Sequence, residues 1–416
     1  MEEMVSKKPI YNKWGQFGKD YEEGINFERL RKERLQKARE SMVKHDLGAI
    51  VAIRGENTRY LTGFNGLPVQ NTVLRYVVFP VTADPIIFEL GADIGRLKES
   101  ATWIKEQNIF PSIPVFATPH HATPIELETR EELSYLWADG IKKVLQEYGV
   151  ADKRIGFDSM FDLSMIKALD HANLDYVDGQ SAMMDARSVK TKDELQLLSI
   201  ASQIAEAGLY TIDKVMRPGI RECEVWAEAA KTMIALGADG LEGICTTGGR
   251  TNPYYRISGT DKILRPNDLL VTDIVVSYMG YHTCVVRTFL NGTKATKEQK
   301  KYYREAYDSL YASINAVKAG VTTDKVAEAL PKGDWSNYSL NIGHGLGLVV
   351  HETPSIVEAY SKSCPTEIKE NMYIALETYA GDPVSEQGVR LEENLVVTKE
   401  GYEIFSRYPF DEKLMD

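Results

Sequence analysis

The chain has 416 residues, 43% of them hydrophobic, and a net charge of −11 at pH 7. That length exceeds one small core and predicts two domains, while lysines and arginines interspersed among acids form no basic stripe and exclude a nucleic-acid footprint. Four cysteines, Cys223, Cys245, Cys284 and Cys364, stand far apart without a C-x-x-C pair, which predicts free thiols in a reducing compartment.

The first stretch, "MEEMVSKKPIYNKWGQFGKDYEEG", is polar and lacks the apolar core of a signal peptide, and no apolar run reaches membrane-spanning length. A cytoplasmic protein with no membrane partner is the expectation. Next, "NFERLRKERLQKARESMVKHD" sets Leu30, Leu35, Ala38 and Met42 at helical spacing among charges, and "LGAIVAI" reads as a strand. "RYVVFPV", "PIIFEL" and "RIGFDS" alternate with helical stretches such as "TREELSYLWADGIKKVLQEYG", which predicts an α/β domain over residues 1–180.

"RSVKTKDELQLLSIASQIAEAGLYTIDKVMRPGI" opens a second domain, residues 181–416, with a long helix closed by Pro218-Gly219, and "ECEVWAEAAKTMIALGA" supplies another helix. From Leu241 onward, glycine-marked turns separate "LLVTDIVVS", "VVRTFLNG", "MYIALETYAG" and "VRLEENLVVT". This is the pattern of an α+β domain with a mostly antiparallel sheet.

The chemistry-bearing residues gather in that second domain. "NIGHGLGLVVHETP" frames His344 with glycines and adds His351, while Asp273, Glu377 and Glu392 interrupt apolar strands. A carboxylate in a buried strand must lose its charge, find a partner or bind a cation. Three such acids with one imidazole suit a divalent transition metal; separate pairing with Arg287 and Arg390 is the alternative. His282, after Gly280-Tyr281, reads as a solvated turn histidine, and Tyr254, Tyr255 and Tyr281 are candidates for a pocket wall.

These motifs resemble the pita-bread superfamily of creatinase, prolidase, aminopeptidase P and methionine aminopeptidase. The likeness rests on Asp273 and Cys284 with "GY" and "RTF" between Asp273 and Phe289, "GHGLGLVVHE" at 343–352, "LET" at 376–378 and "GVRLEE" at 388–393. "RGENTRYLTGF" and "RSVKTKDELQLL" extend it more loosely into the first half. The resemblance implies an α/β N-terminal domain, a pita-bread C-terminal domain and a homodimer, with Trp14 and the arm before Asn26 as candidates for crossing to the partner.

It also places the family's five metal ligands on Asp273, position 284, His344, Glu377 and Glu392. The residue at 284 and Glu392 would bridge two ions, and here 284 is a cysteine. A thiolate is softer than a carboxylate and reaches differently. The expectation is therefore one divalent ion (zinc, iron or manganese), placed with His344, Glu377 and Glu392 and with Cys284 as an optional further ligand, or none, as in the creatine-hydrolysing branch.

Where the peptidases carry a histidine ahead of the first aspartate, a gapless alignment sets Arg256, which suits a carboxylate-bearing substrate. "GGRTNPYY" and the C-terminal stretch look most like the branch containing the dimethylsulfoniopropionate lyase of this fold. The resulting expectation is a small-molecule hydrolase or lyase cleaving a C–N or C–S bond. His351 or His344 with Glu377 or Glu392 would move protons, Arg256, Tyr255, His351 and Arg390 would hold substrate, and Arg390 would chiefly steady Glu392. The alternatives are a Xaa-Pro dipeptidase or aminopeptidase and, outside catalysis, a peptide-binding module.

Overall fold

The computed structural model describes residues 24–64, 72–73, 75–113, 115–116, 124–160, 163–252, 254, 256–330 and 342–415. Trp14 and Tyr255 lie outside them. Asn26 opens α1 (Phe27–Lys44) by accepting the Arg29 amide at 2.9 Å. There follow β1 (Ala49–Ala52), α2 (Gly55–Thr62), β2 (Thr72–Val73), β3 (Tyr76–Pro80), β4 (Ile86–Glu89), α3 (Ile94–Ser100), β5 (Ile109–Pro111), β6 (Val115–Phe116), α4 (Pro124–Glu147), β7 (Ile155–Phe157), α5 (Leu163–His171) and β8 (Tyr176–Asp178).

Six of these strands form a mixed sheet in the order β5-β4-β3-β1-β7-β8. Strand β1 runs antiparallel to β3 and parallel to β7, and its four residues are buried on both faces, as the unbroken apolar run requires. On one face Trp137 of α4 is fully buried against Tyr76 and Phe157; truncating such a side chain to alanine costs about 3–5 kcal/mol.

Helix α6 (Gln180–Ser188) leads to α7 (Lys192–Val215), whose start is fixed by a capping box between Thr191 and Glu194. Helix α8 (Glu222–Ala235) lies against α7. Then come β9 (Gly240–Thr247), β10 (Asp268–Tyr278), β11 (Tyr281–Asn291), α9 (Lys297–Asn315), α10 (Thr323–Glu328), β12 (Gly343–Gly345), β13 (Glu352–Ile356), α11 (Glu358–Ser363), β14 (Tyr373–Asp382), β15 (Gln387–Val397), β16 (Tyr402–Ile404) and α12 (Glu412–Met415).

The antiparallel region divides into two sheets, β11-β10-β9 and β13-β12-β14-β15-β16. They meet where β11 lies on β15, with α7 behind the first sheet and α9 behind the second. One apolar cluster runs from Leu30 and Met42 of α1 through Leu197 and Leu209 of α7 to Ile274 and Val285 of the β10–β11 hairpin. This continuity fixes the N-terminal sheet and the hairpin relative to each other.

Candidate active site

Strand pairing decides which side chains meet between the two sheets. In β10 and β11, Asp273 faces Val286 and Val275 faces Cys284, so Asp273 and Cys284 are diagonal neighbours on one face. In β14 and β15, Glu377 faces Glu392 and Tyr379 faces Arg390, which makes Arg390 the diagonal neighbour of Glu377. His344 enters from β12, opposite Ala375 of β14.

The glycines beside His344 serve the sheet. A Cβ at Gly343 would meet the Ala375 carbonyl, and one at Gly345 would meet the Thr353 carbonyl. Close backbone approach, the reason such a frame suits a ligand histidine, is here used by neighbouring strands.

Cys284 Sγ lies 3.3 Å from Asp273 Oδ1 and 3.3 Å from Glu392 Oε2. Burial, with the charges of Asp273 and Glu392, pushes the thiol well above its usual range, so it stays protonated. One thiol proton serves only one carboxylate. The second contact falls to Glu392, whose carboxyl is fully buried and pushed up to about 8 by burial and the nearby Asp273 charge. The thiol donates to Asp273 Oδ1 or to Glu392 Oε2, one at a time.

Arg390 supplies the positive charge. Its guanidinium pairs closely with Glu377 Oε2, lies 3.8 Å from Asp273 Oδ2 and stacks over Tyr254 at 4.9 Å. The Tyr254 hydroxyl approaches Asp273 Oδ2 at 3.5 Å. Arg390 therefore engages Glu377 and Asp273 where the sequence suggested Glu392. The cause is the pleat: residues 390 and 392 share a face, and the cross-strand partner of Glu392 is Glu377 itself. Arg287, the other cation considered for these acids, pairs instead with Glu393 at 3.0 Å.

His344 packs against His351 with the rings tilted by 52° and their centroids 4.3 Å apart, and its Nε2 is 4.0 Å from Glu392 Oε1. Burial first, then His351, lowers the His344 pKa to about 3, so the ring is neutral and its nitrogen is available as a ligand or acceptor. His351 is also pushed down, by burial and then by Arg256. His282 does not lie free in a turn: it belongs to β11, is largely covered, and its Nδ1 is 3.4 Å from the Gly347 carbonyl.

Asp273, Cys284, His344, His351, Glu377, Arg390 and Arg256 line one cavity of about 700 Å³, together with Glu242 and Ser258. Glu392 lies behind this wall, with no exposed surface. The sequence passed over Glu242 and Ser258; strand alternation in "LEGICT" carried the only signal for Glu242. Behind His351, Glu352 is buried between Arg187 Nε at 3.1 Å and Lys190 Nζ at 2.8 Å.

The residues present fit a single metal ion. Donor atoms of Asp273, Cys284 and Glu392 all lie within 4.8 Å of one another, and Glu392 Oε1 is buried without a hydrogen-bond partner among the described residues. A buried acceptor left unmatched is costly unless something fills it. The converging set joins Asp273 to Cys284 and Glu392, whereas the sequence grouped the ion with His344, Glu377 and Glu392, Cys284 being optional; the Arg390 pair holds Glu377 to one side.

This two-sheet domain with acids and a histidine between its layers defines the class of pita-bread enzymes. Metallopeptidase family M24 matches residues 196–399, and the creatinase/prolidase N-terminal domain matches residues 34–189. The putative dipeptidase YkvY of Bacillus subtilis (strain 168) is 27% identical over 369 residues, covering 86% of this chain and 92% of that protein. The dimethylsulfoniopropionate lyase DddP of Roseovarius nubinhibens is 22% identical over 411 residues, covering 94% and 88%. A solved Xaa-Pro dipeptidase from Bacillus anthracis superposes with a TM-score of 0.73 at 21% identity, covering 92% of this chain and 99% of that one. The chain belongs to the creatinase/prolidase (pita-bread) superfamily and is an enzyme of its hydrolase or lyase class.

Proposed function

We propose that this enzyme cleaves a C–N or C–S bond in a small carboxylate-bearing substrate, using a metal site reduced to at most one ion. The observation carrying this reading is Cys284, a protonated thiol 3.3 Å from both Asp273 and Glu392, at the position from which a carboxylate would bridge two ions. Asp273, Glu392 and, after losing its proton, Cys284 would hold the ion, with His344 beside the free Glu392 oxygen. When bound, a divalent ion supplies Lewis-acid polarisation of the substrate or activation of water.

The protein's own groups supply the rest. Arg256, exposed on the cavity wall, binds the substrate carboxylate through paired N–H donors. His351, kept neutral near pH 7 by burial and by Arg256, accepts a proton or orients an oxyanion. Glu377 offers a carboxylate to the cavity, and Glu392 acts behind it through the Cys284 thiol. A cytoplasmic homodimer belongs to this proposal, supported by the four free cysteines and by the family likeness.

The likeness to YkvY and to the Xaa-Pro dipeptidase supports a second reading, cleavage of Xaa-Pro dipeptides, about as strongly. Turnover assays separate the two: small carboxylates carrying a C–N or C–S bond on one side, a proline dipeptide with added manganese on the other. Robust manganese-dependent dipeptide cleavage would replace the first reading with the second. If His344→Ala and Glu377→Ala leave every turnover unchanged, a peptide-binding role replaces both.

A further inference from the structure

Away from the cleft, three guanidinium groups converge where the N-terminal domain meets the β10–β11 turn. Arg31 and Arg34 of α1 and Arg59 of α2 line a cavity of about 70 Å³ with Trp103 and Met279. It adjoins a wider groove of about 710 Å³ that shares Arg59 and Met279. At roughly 30 Å³ per water, the inner cavity has room for one tetrahedral oxyanion.

The arginines are short of partners. Arg34 is only 4% exposed; one guanidinium nitrogen donates to the Tyr281 hydroxyl, but its Nε is buried with no hydrogen-bond partner among the described residues. Arg31 lies over the Trp103 ring at 5.7 Å, and no described carboxylate forms an ion pair with it. The nearest acid to Arg59 is Asp239 at 3.5 Å, and that carboxylate already accepts from Ser277 at 2.6 Å and from the Gly280 amide at 2.9 Å. Glu194, another nearby acid, takes the Tyr281 hydroxyl at 2.9 Å and the Thr191 amide at 2.8 Å.

The carboxylates near these three cations, Asp239, Glu194 and Glu28, are otherwise employed, Glu28 by Lys32 at 2.7 Å. Burial pushes the pKa values of Arg31 and Arg59 down, and Arg34 adds to the effect despite the opposing charges of Glu28 and Asp239. An anion in the cavity would relieve that repulsion and satisfy the orphaned Nε. Convergent guanidinium N–H groups from three side chains match a tetrahedral oxyanion better than a planar carboxylate.

We propose that this interdomain pocket, lined by Arg31, Arg34 and Arg59, is a binding site for a phosphate-type oxyanion, separate from the catalytic cleft. Through Arg34 and Tyr281 the bound anion braces β11 three residues before Cys284 and ties the first two helices to the hairpin that carries the site.

The test is calorimetric titration of the full chain with inorganic phosphate, at ionic strength held constant with chloride. The wild type should show saturable binding at one site. Arg31→Gln should weaken it about tenfold or more, the loss of a charged hydrogen bond. Arg59→Gln should do the same and serves as the second variant should Arg31→Gln fail to fold. Arg256→Gln, in the cleft, and Lys32→Gln, on the exposed side of α1, should leave binding unchanged. Absence of saturable binding, loss only in Arg256→Gln, or equal loss in Lys32→Gln overturns the proposal.

Discussion

Cys284 Sγ and Glu392 Oε2 stand 3.3 Å apart in a buried contact that joins the two antiparallel sheets. The thiol holds its proton, Glu392 is pushed toward its acid form, and Arg390 offsets the remaining charge through Glu377 and Asp273. A carboxylate at 284 would add a fourth acid to this cluster and a second bridging group for metal.

Cys284→Asp should therefore raise the number of divalent ions bound per chain by one. Stripped of metal, the same variant should be less stable than wild type by about 1–3 kcal/mol, because a further acid is buried beside Asp273 and Glu392 without a partner. Metal analysis and chemical denaturation with chelator present check the two halves.

Metal uptake by the wild type should release protons, since Cys284 and Glu392 must both ionise to serve as ligands. With Glu392 pushed up to about 8, affinity should climb with pH through that region, about tenfold per pH unit for each proton released. Zinc titrations in buffers of differing pH read this slope; a flat profile would remove these two residues from the ligand set.

Arg256→Ala should raise KM for a carboxylate substrate about tenfold or more with a smaller change in kcat, the signature of lost ground-state binding. Arg256→Lys should recover only part of it, because an ammonium lacks the paired donors. Steady-state kinetics on the matching uncharged substrate analogue should show no difference between variant and wild type.

Glu352 links the cleft to the domain junction. Burial pushes its carboxyl up, but the Lys190 and Arg187 cations outweigh that and hold it below its usual value of 4.5. Its contribution to stability is thus complete above about pH 4.5 and is lost as pH falls through the lower folded value. Glu352→Gln leaves two buried cations uncompensated and should cost about 3–5 kcal/mol at pH 7. Urea denaturation measures this, and the acid-induced loss seen in wild type should shrink in the variant.

Much of this site was legible in the sequence because its residues break local patterns. Asp273, Glu377 and Glu392 are acids inside apolar strands, and His344 lies between two glycines. Four strands of the six-stranded sheet, β1, β3, β4 and β7, were visible as short apolar runs between charged helices, while the three-residue β5 and β8 were not. Register was not legible: the pairing of Arg390 with Glu377 follows from how β14 and β15 align, which neither strand's composition sets. Long-range ion pairs stayed hidden for the same reason, since Glu352 meets Lys190 across 162 residues. His282 was misjudged because β11 begins at Tyr281, directly after the turn, and its histidine is covered by the Gly347 loop.

The most direct measurement is the stoichiometry of manganese and zinc bound by the metal-stripped wild-type chain, followed to saturation by calorimetry and confirmed by elemental analysis. A thiol where two ions would share a carboxylate should limit binding to one ion per chain or none. Two ions bound at comparable affinity would contradict that reading and return Cys284 to the role of an ordinary bridging ligand.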